Sequence, residues 1–170
     1  MKNFTENTRV QVPAALHLCK LGYTYLDDIT SYNPQTNILT DIFIRSVKRL
    51  NPVLTDLECS QLLDKIIGIL NNDDLGKEFY TMLSSNSGVK LIDFADANNN
   101  EWYVTTEFTC ENVESGDSFR PDITCFINGL PLAFIEVKKP NNHDGILAER
   151  DRIISGCRIK VFVALSILPN

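Results

Sequence analysis

Apolar positions recur at helical spacing through the first half of the chain and run together or alternate in the second. Residues 6–21 (ENTRVQVPAALHLCKL) read as a helix ending at Gly22, with Pro13 either kinking it or marking its start. Residues 22–37 are turn-rich, with a short strand at Tyr23–Leu26. Thr40 is the expected N-cap of a helix with Ile42, Phe43, Val47 and Leu50 on one face, and Asn51-Pro52 ends it. Thr55 and Glu58 have capping-box spacing, and the helix behind them should bury Leu62, Leu63, Ile66, Ile67 and Leu70. A shorter helix is expected from Asp73 to Leu83. Beyond the loop Ser84–Gly88 the pattern changes. Val89–Phe94 has strand composition, Asp96–Asn100 is a turn cluster, and residues 101–110 (EWYVTTEFTC) are aromatic and β-branched. In residues 120–140 (RPDITCFINGLPLAFIEVKKP), Asn128-Gly129 is a hairpin signal between two apolar runs. A last helix is expected over 143–154. The order predicts an α/β or α+β fold with a mixed sheet: helical 1–83, sheet core 88–140, helix 143–154.

Composition narrows the class. The chain has 170 residues, enough for one domain of 1–154 and a tail of 155–170. Its 44% hydrophobic and 22% charged residues exclude disorder, collagen and coiled coil. No apolar run nears the roughly 18 residues of a membrane span. The N-terminal MKNFTENTRV lacks a secretory apolar core, so a cytoplasmic protein is expected. Five cysteines without a CxxC pair read as reduced thiols. The net charge of −6 argues against simple electrostatic DNA binding. Residues 1–117 carry net −8 and residues 118–170 net +2, so any phosphate contact belongs to the later segment.

The candidate chemistry is Pro121-Asp122, thirteen residues, then Glu136-Val137-Lys138. Glu136 and Lys138 share a strand face by alternation. The hairpin register decides whether Asp122 joins them. A two-residue turn at Asn128-Gly129 sets Asp122 opposite Ile135 and away from Glu136. A three-residue loop, or one bulge, sets Asp122 opposite Glu136, with side chains about 5 Å apart. Both faces of these strands are mostly apolar, so they should be central and covered on both sides. Two carboxylates brought together there repel each other, and desolvation adds to the cost. A divalent cation such as Mg²⁺, which prefers carboxylate oxygens, resolves the conflict and can promote phosphodiester hydrolysis. The plainer alternative is a surface salt bridge between Lys138 and Glu136.

The spacing resembles the PD-(D/E)xK nuclease motif. The wider strings LIDF…NN…WYV…F and RPDI…FINGLPL…IEVKKP resemble the start of the R subunit of type I restriction enzymes, as does ALHLCKLGY at the front. The resemblance runs over roughly residues 1–154. It implies a restriction-endonuclease-like core, with a central mixed sheet flanked by helices, and a metal-dependent DNA endonuclease preceding an ATP-driven translocase. It further implies that Asp122 and Glu136 bind Mg²⁺ with the Val137 carbonyl, that Lys138 is the third catalytic residue, and that Glu6 is the first-helix acid. Arg120 and Lys139 flank the site and could meet phosphates; His17 and His143 read as structural or loop residues. The implied partners are double-stranded DNA and the methyltransferase and specificity subunits. A specificity subunit, rather than this chain, would read the DNA target. The alternatives are a non-catalytic docking module joining motor to methyltransferase, and a stand-alone nuclease of the same superfamily.

Two departures qualify the resemblance. No GxxxxGK[ST] loop is present, so ATP belongs to a longer protein. After Lys138 there is neither Gln nor Tyr, so the QxxxY motif of related nucleases is missing, and weak or absent cleavage by this chain alone is expected. The tail SGCRIKVFVALSILPN is atypical. A frame-shifted reading from Cys157 resembles the family's continuation and would make the chain a truncation; the other reading is a genuine final strand.

Overall fold

The computed structural model describes residues 10–72, 74, 76–85, 88–111, 118–137 and 164–167. Helix α1 spans Val12–Lys20, with Pro13 in its first turn, where a missing N–H costs nothing. Pro13 therefore marks the start rather than a kink. Helix α2 spans Thr40–Leu50 and ends at Asn51, ahead of Pro52. Its N-cap is Leu39, one residue before the expected Thr40. The Thr40 hydroxyl is engaged by Ser31 Oγ at 2.9 Å, so it does not cap. Helix α3, Asp56–Leu70, opens on the expected capping box: Thr55 Oγ1 accepts from Glu58 N–H at 3.2 Å, and Glu58 Oε2 accepts from Thr55 N–H at 2.7 Å. It buries Leu62, Leu63, Ile66 and Leu70 as predicted, with Cys59 and Ile69, while Ile67 lies partly exposed. Helix α4 is shorter than predicted, Lys77–Ser84.

Five strands form one mixed sheet in the order β1-β2-β5-β6-β7. They are β1 (Thr24–Tyr25), β2 (Trp102–Thr106), β5 (Ile123–Ile127), β6 (Leu130–Val137) and β7 (Ala164–Ile167). Strands β3 (Cys110–Glu111) and β4 (Ser118–Phe119) make a separate antiparallel pair. The outer pairs, β1 with β2 and β6 with β7, are parallel; β2-β5 and β5-β6 are antiparallel. The edge strand β1 thus comes from within the helical half of the chain. Residues 164–167 of the atypical tail pair with Phe134–Val137 of β6. The expected helix over 143–154 lies outside the described residues. No helix among the described residues is long and apolar enough to cross a membrane.

Helices cover both faces of the central strands. Ala14, Leu18 and Cys19 of α1 pack on Val104, Ile123, Cys125 and Ile135. Phe126 and Phe134 pack with Leu39, Phe108 and Phe119. Leu130 and Leu132 join the largest cluster, with Phe43 and Val47 of α2 and Leu62 and Ile66 of α3.

Val89–Phe94 is not a strand, against the composition-based expectation. Its backbone groups are taken by side-chain amides instead of a ladder. Asn51 Nδ2 donates to the Lys90 carbonyl and Asn51 Oδ1 accepts from Lys90 N–H, at 2.8 and 2.9 Å. Asn128 Nδ2 donates to the Leu91 carbonyl, and Asn100 Oδ1 accepts from Asp93 N–H. With those groups satisfied, Leu91 and Ile92 are buried without strand pairing.

Two substitutions test this frame. A Cβ on Gly129, whose φ is +82°, would lie 2.7 Å from the Leu39 carbonyl and 2.8 Å from the Phe43 amide. Gly129→Ala should cost about 3 kcal/mol in urea unfolding, from overpacking and backbone strain together. Glu101 joins α2 to β2 by accepting from Arg45 at 2.6 Å, with Arg49 3.2 Å away and Tyr103 Oη donating at 2.7 Å. Burial pushes its carboxyl up, but the hydrogen bonds from Arg45 and Tyr103 and the two guanidinium charges outweigh it and hold it at about 2. A depressed carboxylate stabilises the fold above its unfolded pKa and loses that contribution as pH falls. Glu101→Gln should therefore cost about 1 kcal/mol at pH 7. The gap to wild type should close as pH falls from the ordinary carboxylate range towards 2, as read by unfolding at each pH.

Candidate active site

The β5–β6 hairpin turns at Asn128-Gly129, and next to that turn Ile127 pairs with Leu130 and Phe126 with Pro131. Beyond it Cys125 pairs with Ala133, Thr124 with Phe134 and Ile123 with Ile135. Leu132 is the extra residue of a β-bulge. Pro131 explains its place: a proline has no N–H for the ladder and is confined within sheets to edges and bulges. The bulge shifts the register by one position. The ladder ends at the Ile123–Ile135 pair; carried one residue further, this register would set Asp122 opposite Glu136, with both side chains on one face.

Asp122 is held at three points. Its Oδ2 accepts from Val137 N–H at 2.6 Å. Its carbonyl accepts from Gln11 Nε2 at 2.7 Å and from Glu107 N–H at 3.0 Å. Asp122 and Glu136 are both half-buried. Along the strand from Asp122 lies Thr124, fully buried, whose hydroxyl meets no hydrogen-bond partner among the described residues. Beneath it the Phe119 and Phe134 rings meet edge-on at 5.7 Å, a rigid apolar floor. On the opposite face burial pushes the Cys125 thiol up to about 11, too high for a thiolate nucleophile near neutral pH.

The structure brings together three of the predicted residues: Asp122, Glu136 and Val137. Glu6, Lys138, Lys139 and His143 lie outside the described residues. Arg120 is exposed and pairs loosely with Glu107 at 3.7 Å. His17 is exposed in the last turn of α1, where a basic residue suits the helix dipole. Sequence reasoning missed Gln11. A signal for Gln11 existed: it falls four residues before buried Ala15, on the inner stripe of α1, where an amide needs a partner.

No group of three or more His, Cys, Asp or Glu side chains able to hold a metal occurs among the described residues. The donors that the sequence implied are two carboxylates and the Val137 carbonyl. That set suits Mg²⁺, which typically takes one or two carboxylates and keeps several waters. The buried Thr124 hydroxyl is a further unspent polar group on that face.

Residues 3–153 match the family model described as type I restriction enzyme R protein N terminus. A protein of Methanocaldococcus jannaschii, named as the endonuclease subunit of the type I restriction enzyme MjaIXP, is 35% identical over 162 residues. That match covers 81% of this chain and 16% of the relative, so the chain spans under a fifth of the relative's length.

The Val137 contact predicts an outcome that repulsion alone does not. Removing one of two neighbouring carboxylates relieves repulsion, but Asp122→Ala also leaves the Val137 N–H without its charged acceptor. Hydrogen bonds to charged groups contribute about 1.5–3 kcal/mol. Without metal, Asp122→Ala should lower stability by about 1 kcal/mol net in urea unfolding, whereas repulsion alone would raise it.

Proposed function

The chain belongs to the family of type I restriction enzyme R protein N termini, and on that premise we propose that it carries the metal-dependent DNA endonuclease site of such a subunit. The observation that supports the reading is the bulged register, in which Ile123 pairs with Ile135; carried one residue further, it would line up Asp122 and Glu136 on one face. Asp122 and Glu136 would hold the divalent ion, Mg²⁺, with the Val137 carbonyl as a further donor. The bound ion supplies Lewis acidity, neutralising charge that builds on the phosphate and making water a better nucleophile. The Val137 N–H donates to Asp122 Oδ2 and so orients the carboxylate. Lys138, next in sequence, orients the attacking water or steadies the phosphoryl oxyanion. Double-stranded DNA is the substrate. ATP-driven translocation and the methyltransferase and specificity subunits belong to the longer protein and its complex.

Metal-dependent stabilisation tests the reading, because a ligand that binds only the folded state raises its stability. Mg²⁺ or Mn²⁺ should raise the melting temperature of the wild-type chain, and the gain should vanish in Asp122→Ala and in Glu136→Ala. Equal gains in all three proteins would place the ion elsewhere. Nicking of supercoiled plasmid by the chain alone is expected to be weak, and whatever is seen should need the metal and Asp122.

A further inference from the structure

We propose that Gln11 is a positioning residue of the Asp122–Glu136 site, an inference that rests on the metal reading above. Gln11 is only 2% exposed and stands at the N-cap of α1, yet its side chain makes no cap hydrogen bond. Its amide is spent on the Asp122 carbonyl, 111 positions away in sequence, at 2.7 Å. The same carbonyl accepts from Glu107 N–H, so both of its lone pairs are engaged. Glu107 is itself held at φ +54°, a left-handed conformation that a non-glycine residue adopts at a cost. Two donors on one carbonyl fix the peptide plane between Asp122 and Ile123. That plane sets the direction of the Asp122 Cα–Cβ bond and so where its carboxylate meets Val137 N–H and the ion.

Anchoring α1 is a weaker account of this bond. Ala14, Leu18 and Cys19 already seat the helix on Val104, Ile123, Cys125 and Ile135. The Gln11 contact instead bears on a residue with a candidate ligand role. Groups that orient a metal ligand from behind typically change metal affinity 10–100-fold when removed.

The experiment follows Mn²⁺ binding to the full chain by electron paramagnetic resonance, with metal-free thermal unfolding in parallel. Gln11→Met keeps the bulk and removes the donor. Gln11→Asn keeps an amide but draws it back by one methylene, and serves if the first variant folds poorly. Ala15→Gly weakens the same helix without touching Asp122. Both Gln11 variants should bind Mn²⁺ at least about tenfold more weakly and alter the spectrum of the bound ion. Ala15→Gly should lower the melting temperature and leave the affinity unchanged. Binding within twofold of wild type in the Gln11 variants, or an equal loss in Ala15→Gly, overturns the positioning role while leaving the metal reading intact, provided Asp122→Ala abolishes binding. A wild-type chain that binds no Mn²⁺ overturns both.

Discussion

A strand whose pairing slips by one residue turns every side chain to the other face, so the β5–β6 register governs this site before any chemistry does. The turn is locked on several sides. Asn128 and Gly129 have φ of +52° and +82°, as a two-residue hairpin turn requires. Asn128 is fully buried: its N–H donates to the Glu101 carbonyl, its Oδ1 accepts from Glu101 N–H, and its Nδ2 donates to the Leu91 carbonyl and to Asn100 Oδ1. The Gly129 carbonyl accepts from Leu39 N–H, and the backbone at the start of α2 occupies the space a Cβ would need. The turn is therefore tied to β2, to the segment before it and to α2. By itself, though, this turn would set Asp122 opposite Ile135. The bulge at Leu132 shifts the register by one, and only the two together would carry Asp122 opposite Glu136.

That combination shows what could be read from residues and what could not. The helices were legible because their signals are local: the Thr55–Glu58 box, the stop at Asn51-Pro52, and Leu62, Leu63, Ile66 and Leu70 on one stripe. The spacing of Asp122 and Glu136 was legible as well, down to the choice between a plain two-residue turn and a bulge. The turn signal and the bulge seemed to be rivals, and the structure uses both. Pro131 was the overlooked clue, since its missing N–H marks where the ladder can break. Val89–Phe94 was misread because its composition is strand-like, while the amides that take its hydrogen bonds come from Asn51, Asn100 and Asn128, far apart in sequence. Gln11 was missed for a related reason: its spacing from Ala15 marks a buried amide, but its partner lies 111 positions away and is named only by the fold.

The two ends of the central strands treat their acids in opposite ways. At the turn end, Glu101 faces two guanidinium groups and a phenol, and its charge is settled within the protein. At the other end, the donors that reach Asp122 are neutral amides: Val137 N–H to the carboxylate, Gln11 and Glu107 to the carbonyl. Neutral donors orient a carboxylate without cancelling its charge. Among the described residues no cation pairs with Asp122, and the register brings a second carboxylate to face it. An ion pair such as that of Glu101 would make an acid a poor metal ligand, because the metal must first displace the guanidinium. An acid fixed by amides alone keeps its affinity for a cation that arrives later. The same sheet thus contains a closed charge at one end and an open one at the other, and the open one is where an ion has most to gain.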